Sequence, residues 1–237
     1  MRDNKSYYNT FAETYDHGRD RGYHGFLDLS EFALVEPHAR GKEVLEVGCG
    51  TGLILARLAS VAEHAVGVDL SPGMLEHARS RGLDVHEASA TALPFDDASF
   101  DVTCSFKVLA HIEDISTAMA EMARVTRPGG VIVAEFYNRQ SIRTLVKRFG
   151  PAGKVGNAGD THEREVFLRF DTLDDIRGYL PPSLSVERVD GIRVLSPAAL
   201  PFDLPVVGPL WSRVERLAAR LPIRRFGGFL VVTLRRS

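Results

Sequence analysis

The run Val44-Leu45-Glu46-Val47-Gly48-Cys49-Gly50-Thr51-Gly52 carries the strongest chemical signal in the chain. Glycines at alternate positions let a backbone turn with φ > 0 and present N–H groups to a ligand without Cβ atoms in the way. A turn of that kind takes a nucleotide-type cofactor. A second signal lies about 20 residues downstream, where Ala65-Val66-Gly67-Val68 ends in Asp69. This is the spacing at which a carboxylate closing the second strand of a βαβ unit accepts from ribose hydroxyls. Charge-assisted bonds of this type contribute roughly 1.5–3 kcal/mol each, and the same carboxylate repels a 2′-phosphate.

The glycines follow G-x-G-x-G, whereas dinucleotide sites follow G-x-G-x-x-G, and Glu46 stands two residues before the first of them. A carboxylate there repels a pyrophosphate and suits a ligand bearing an ammonium group. S-adenosylmethionine has an ammonium, a sulfonium and a ribose, and no phosphate. For catalysis, His111 in Leu109-Ala110-His111-Ile112-Glu113-Asp114 is the best placed ionisable side chain, with an imidazole pKa suited to taking a hydroxyl or amine proton. The competing reading of His111 is a loop hydrogen bond. His24 and His162 are further candidates, in segments that would build an acceptor pocket.

The elements that position these residues follow from periodicity. Val44, Leu45 and Val47 form a first strand, and Leu53, Ile54, Leu55, Leu58 and Ala59 recur at helical spacing. Ser71-Pro72 starts a helix that Gly82 ends, Val85 marks a third strand, and Phe100 to Ser105 form a fourth whose end, with Phe106 and Lys107, points at the cofactor crevice. A helix over about 115–125, a turn at Pro128-Gly129-Gly130 and a fifth strand over 131–136 follow. Residues 4–40 read as two helices, the first carrying Tyr7, Tyr8, Phe11 and Tyr15, the second Phe26, Leu29, Phe32, Ala33 and Val35 on its apolar side. Residues 139–170, punctuated by glycines and ending in Thr161-His162-Glu163-Arg164-Glu165, read as a substrate-side insertion. Thr172-Leu173-Asp174-Asp175 opens a helix in the manner of a capping box, and Pro181-Pro182 stops it. Residues 184–195 read as a strand or a bent pair, and 227–234 as the final strand. Between them, Trp211, Val214, Leu217, Ala218 and Leu221 form an apolar stripe opposite Arg213, Arg216 and Arg220. The expectation is a core-packed helix, with a substrate wall or weak membrane-surface contact as the alternative.

Five stretches, 44–52, 67–75, 88–102, 108–114 and 121–130, together resemble the class I S-adenosylmethionine-dependent methyltransferases, in particular the small-molecule group. The resemblance implies an α/β, Rossmann-like three-layer sandwich with a mostly parallel seven-stranded sheet, its last strand antiparallel beside the fifth. It implies that Glu46, Gly48, Cys49, Gly50 and Gly52 line the methionine half of S-adenosylmethionine and that Asp69 holds the ribose. Leu70 and Met74 then lie near the adenine, as do Ser89, Ala90 and Thr91, with Phe106 at the crevice mouth. Ser89 stands where the family usually has an acidic residue, so its bond to the adenine amine is a weaker one. Residues 8–16 resemble the family's N-terminal lid, in which Tyr15 closes over the cofactor; the bland reading of Tyr15 is packing on the core.

The implied activity is methyl transfer to a small-molecule acceptor, O-methylation ahead of N- or C-methylation, with a polyketide, phenol, quinone or fatty acid compatible with an aromatic, apolar wall. The alternatives are an NAD-dependent oxidoreductase, opposed by Glu46, the glycine spacing and the lack of a Tyr-x-x-x-Lys pair, and a non-catalytic cofactor-binding protein on the same fold. At 237 residues, with 44% hydrophobic and 25% charged residues, the chain suits one domain: lid 1–40, cofactor core 41–138, substrate-side half 139–225 and last strand 226–237. A net charge of −2 without a basic tail argues against a nucleic-acid partner. The two cysteines, Cys49 and Cys104, lack metal-ligand spacing and read as reduced and structural, so no metal is expected. No apolar run reaches the length of a membrane span, and the expected location is the cytoplasm. The oligomeric state is not encoded in any motif.

Overall fold

The computed structural model describes residues 9, 12, 15, 16, 18, 19, 21–144, 167–196 and 198–237. Tyr7, Tyr8, Phe11, His162 and most of the expected insertion lie outside them. Helix α1 (Gly22–Ala39) precedes the alternating core: β1 (Glu43–Val47), α2 (Leu53–Ala59), β2 (His64–Asp69), α3 (Pro72–Ser80), β3 (Asp84–Glu87) and β4 (Phe100–Ser105). Then come a 3₁₀ turn (Leu109–His111), α4 (Ile115–Val125), β5 (Thr126–Tyr137), α5 (Leu173–Tyr179) and β6 (Leu184–Ile192). The chain closes with α6 (Leu200–Asp203), α7 (Val207–Ala218), a second 3₁₀ turn (Pro222–Phe226) and β7 (Phe229–Arg236).

The seven strands lie in the order β3-β2-β1-β4-β5-β7-β6, and β7 runs antiparallel to both its neighbours while the other pairs are parallel. The mixed sheet expected from the sequence is therefore present. Its apolar runs are nearly continuous because both faces are covered. On one face Val44, Val102, Cys104, Val131 and Val133 pack with Val35 of α1, Leu55 of α2 and Leu75 of α3. On the other, Leu45, Val47, Ile132 and Ala134 meet Met119 and Met122 of α4 and Ile176 of α5.

Local chemistry sets the helix starts. Ser71 accepts from the Met74 amide, with proline in the first turn, and Thr172 and Asp175 form a reciprocal capping box. The expected 128–130 turn is an irregularity within β5: Phe100 faces Thr126 but Val102 faces Val131, so the extra residues loop out while pairing resumes. Residues 184–192 form one strand, irregular between Val186 and Arg188.

Two helical faces differ from their patterns. In α1, Leu29 is 48% exposed while Asp28 and Glu31 are buried, because cations beside the sheet receive those carboxylates. In α7, Trp211 and Ala218 pack inward but Leu217 is 60% exposed, since the buried Glu215 turns the helix toward the end of β6. Among the described residues no helix is long and apolar enough to cross a membrane, and no group of His, Cys, Asp and Glu is arranged to hold a metal ion. Cys49 and Cys104 are buried and carry no disulfide.

Candidate active site

The glycine turn lies where β1 ends, and its three glycines have different reasons to be there. Gly48, Gly50 and Gly52 have φ of 77°, 54° and 83°. A Cβ on Gly48 would collide with the Val108 side chain, and one on Gly52 with Leu83. A Cβ on Gly50 would meet nothing within 4 Å, so this residue faces open space. Cys49 between them packs against Gly67 and Leu55, away from that opening, and burial pushes its thiol pKa up.

Asp69 fastens the turn to the end of β2. Its Oδ2 accepts from the Gly50 amide at 2.9 Å and its Oδ1 from the Ser71 amide at 2.9 Å. Burial pushes the Asp69 carboxyl up, against the opposing N–H donors of Ser71, Gly50 and Leu70. Below the turn, Glu46 is 2% exposed, its Oε2 has no hydrogen-bond partner among the described residues, and desolvation holds its pKa well above the carboxylate range. The result is a buried acceptor at the carboxyl end of β1 beside a turn that opens outward.

Residues near the N-terminus clasp this region. Asn9 Oδ1 accepts from Ser71 Oγ at 2.6 Å and from the Gly73 amide at 3.0 Å. Thr51 Oγ1 donates to Asp16 Oδ1 at 2.6 Å, Arg81 also binds Asp16, and the Arg81 Nε donates to the Thr51 carbonyl at 2.9 Å. Tyr15 is half-buried with the Arg19 guanidinium 4.1 Å from its ring centroid. Asn9, Asp16 and Arg81 were not legible as site residues, because isolated polar side chains carry no periodic signal. On the opposite wall Leu70 is 42% exposed and Met74 buried. Ser89 Oγ lies 2.8 Å from Thr91 Oγ1 and accepts from the Thr91 amide, so its hydroxyl ties its own loop around Ala90.

A charged cluster underlies the crevice between α1 and the sheet. Lys107, at φ 62°, places Nζ 2.6 Å from Asp28 Oδ1 and 2.8 Å from Glu31 Oε2, while its amide donates to Glu135 Oε1 at 3.2 Å. Arg19 reaches the same Asp28 Oδ1 at 3.4 Å. Burial first, then neighbouring carboxylates, raise Glu31 and Glu135; the facing carboxylates raise Lys107 despite its burial. Asp28 and Glu31, spaced at i, i+3, share one helix face with Val35. Phe106 is 4% exposed and belongs to the core beside this cluster. The expected mouth position thus falls to Lys107. His24 lies nearby, with burial and the Arg19 charge lowering its pKa to about 4.

His111 ends the 3₁₀ turn after β4. Its Nδ1 lies 2.9 Å from the Phe167 carbonyl, which fixes the proton on Nδ1 and makes Nε2 the basic nitrogen. Burial lowers its pKa, opposed by that carbonyl, so the ring is neutral near pH 7. Arg169 braces the turn by donating to the Ile112 and Leu109 carbonyls at 3.0 and 3.1 Å, and pairs with Asp171 at 3.0 Å. The His111 ring stands edge-on to Tyr137 with centroids 6.1 Å apart. Tyr137 in turn lines a cavity of about 130 Å³ with Phe170, Phe229, Ser141, Arg143 and Arg193. The structure therefore brings the glycine turn, Glu46 and Asp69 together at the carboxyl edge of the sheet, and places His111 next to a second hollow at the same edge.

Residues 45–134 match the methyltransferase domain family. The chain is 38% identical over 101 residues to a probable S-adenosylmethionine-dependent methyltransferase from Mycolicibacterium smegmatis, covering 42% of this chain and 39% of that protein. It is 32% identical over 156 residues to a malonyl-[acyl-carrier protein] O-methyltransferase from Erwinia billingiae, covering 65% and 60%. The chain spans 39–60% of the length of these curated relatives. Its fold is similar to that of an S-adenosylmethionine-dependent methyltransferase, possibly acting on histamine, from Thermotoga maritima, with a TM-score of 0.68, 21% identity and coverage of 98% and 99%.

Proposed function

Since residues 45–134 belong to the class I S-adenosylmethionine-dependent methyltransferase family, we propose that the chain methylates a small-molecule acceptor, preferentially on oxygen. The carrying observation is the joint arrangement of Gly50, Asp69 and Glu46. Gly50 leaves the outer side of the turn open, Asp69 is fixed by two backbone N–H groups with lone pairs left for hydroxyls, and Glu46 holds a buried unsatisfied oxygen. Those three fit the ribose and the ammonium end of S-adenosylmethionine, and offer nothing to a pyrophosphate. The buried Met74 and the backbone of 88–91 border the side given to the adenine, and Tyr15 the lid.

Bound S-adenosylmethionine supplies a methyl group activated by a sulfonium. The chain's own part is to hold and orient: positioning of two reactants contributes about 7–11 kcal/mol in favourable cases. We assign the acceptor to the cavity beside Tyr137, where Phe170 and Phe229 provide apolar walls and Ser141 and Thr144 hydroxyls. His111 Nε2 takes the acceptor hydroxyl proton, with Nδ1–H anchored on the Phe167 carbonyl and Arg169 holding the turn. The preference for oxygen is supported by the neutral imidazole and by the O-methyltransferase relative.

Isothermal titration with S-adenosylhomocysteine and, separately, NADH tests the reading. Binding of S-adenosylhomocysteine alone, weakened at least tenfold in Asp69→Asn, is expected. Preference for NADH, or binding of neither by folded protein, overturns it.

A further inference from the structure

Helix α7 buries one face and leaves a second, apolar one uncovered. Glu215 fixes its rotation: the carboxylate, 1% exposed, accepts from the Val194 amide at 2.7 Å and the Leu195 amide at 3.1 Å, and Trp211 Nε1 donates to Ser196 Oγ at 2.6 Å. With Gly208, Glu215 and Ala218 turned inward, Val207, Leu210 and Leu217 fall on one outward stripe, and Leu221 follows just past the helix end. Leu210 is 62% exposed, Leu217 60% and Leu221 53%, and the turn entering the helix adds Val206 at 85% and Leu204 at 43%. Exposed apolar side chains are ordinarily scattered singly; here they continue over three helical turns.

The charge beside the stripe has one sign. Arg213, Arg216 and Arg220 are exposed and lie about a quarter-turn around the helix from the leucines, on the side away from the protein body. Arg224 and Arg225 follow in the 3₁₀ turn. From residue 204 to 237 the only acidic side chain is the buried Glu215.

We propose that α7 and its flanking turns are an interfacial docking surface for an anionic phospholipid bilayer. The leucines enter the acyl boundary and the arginines meet lipid phosphates, which is the arrangement of a helix lying in the interface plane. The charge pattern selects this occupant. A second copy paired about a twofold axis would set arginine stripe against arginine stripe, and a nucleic acid would have leucines at the centre of its contact. The same bonds couple the surface to the cavity: Arg193, which lines it, donates from Nε to the Ser196 carbonyl at 2.9 Å. This surface is independent of the methyl-transfer reading.

The test is flotation of the full chain with vesicles of phosphatidylcholine containing about 30% phosphatidylglycerol, against phosphatidylcholine alone. Binding to the anionic vesicles is expected in about 0.1 M NaCl. It should weaken sharply in about 0.5 M NaCl, where the screening length is about 4 Å. Leu210→Asp with Leu217→Asp should lower partitioning more than tenfold. Arg213→Gln, Arg216→Gln and Arg220→Gln together should lower it about a hundredfold, at about fivefold for each basic residue near an anionic surface. Both variants should retain wild-type melting temperature and S-adenosylhomocysteine affinity, which separates lost docking from lost fold. Absence of binding to anionic vesicles, binding indifferent to lipid charge, or partitioning unchanged in folded variants overturns the proposal. So does a concentration-dependent dimer that Leu217→Asp abolishes, which would make the surface a self-association face.

Discussion

Replacing Lys107 by methionine preserves side-chain length and the left-handed backbone at φ 62°, and removes only the ammonium from between Asp28 and Glu31. Glu31 has no exposed surface, so its carboxylate cannot turn to water for compensation. Removing one partner of a buried pair costs about 3–5 kcal/mol, because the other charge is left in a low-dielectric surrounding. Urea denaturation at pH 8 should show that loss as a lowered midpoint at unchanged slope. The pH dependence separates electrostatics from packing. Burial already raises Glu31 and Glu135, so these groups disfavour folding progressively as pH climbs above their unfolded value of 4.5. Without the ammonium their folded values rise further, and the variant's deficit widens with pH, by up to about 1.4 kcal/mol per unit for each group in the window between the two folded values. Lys107 itself adds nothing to that slope: its folded pKa is raised above 10.5, so its stabilisation is complete below 10.5 and is lost only at higher pH. A deficit below about 1 kcal/mol at pH 8 would refute the assignment of Lys107 as the cation that holds the cluster.

Three further outcomes are expected. Gly50→Ala should fold, at a cost of about 1–2 kcal/mol for its φ of 54°, yet bind S-adenosylhomocysteine at least tenfold more weakly, whereas Gly48→Ala should lose thermal stability through its collision with Val108; equal loss of binding and stability in both would contradict the separation of roles. His111→Gln, which keeps a donor for the Phe167 carbonyl, should lower kcat by about 10²–10⁴ with unchanged S-adenosylhomocysteine affinity, and the wild-type acid limb should fall below pH 6.5 because burial lowers the imidazole pKa; unaltered turnover would leave His111 a loop anchor. Glu46→Gln should weaken cofactor binding while raising stability at pH 8 by about 1 kcal/mol, since the raised pKa means that ionising the buried acid disfavours the fold; calorimetry and urea titration on one preparation read both.

The strands and the glycine turn were legible because their signals are local. Val44, Leu45 and Val47 alternate with nothing polar but Glu46, and Ser71-Pro72 and Thr172-Asp175 cap helices by contacts within four residues. What escaped the sequence depends on groups distant along the chain. Asp28 is buried because Lys107 sits opposite it, and Leu29 is exposed in consequence; no window around residue 28 contains that lysine. Asn9 and Asp16 join the site through Ser71, Thr51 and Arg81 in the same way. The α7 stripe misled for a related reason: its leucines have helical spacing, but Glu215, a charged residue in the buried face, decides which side turns inward.

That long-range pairing also explains how a charged crevice forms on an apolar sheet. Side chains two apart on a strand share a face, so Val44 and Glu46 on β1, and Val133 and Glu135 on β5, are successive residues of one surface. The surface changes from apolar to acidic within a single pleat step, about 7 Å, and does so on both strands at the carboxyl edge. Helix α1 repeats the change in register: Val35 and Ala39 cover the apolar part, and Asp28 and Glu31 the acidic part. Neither half can shift without putting carboxylates against valines, where each unpaired charge would have to take up a proton or face a desolvation cost of several kcal/mol. Lys107 enters from the end of β4, between β1 and β5, and its ammonium meets the carboxylates of α1 while its amide meets Glu135. One cation thereby fixes helix, strand end and crevice wall together, while Glu46, at the β1 side of the same wall, keeps a buried oxygen without a hydrogen-bond partner among the described residues.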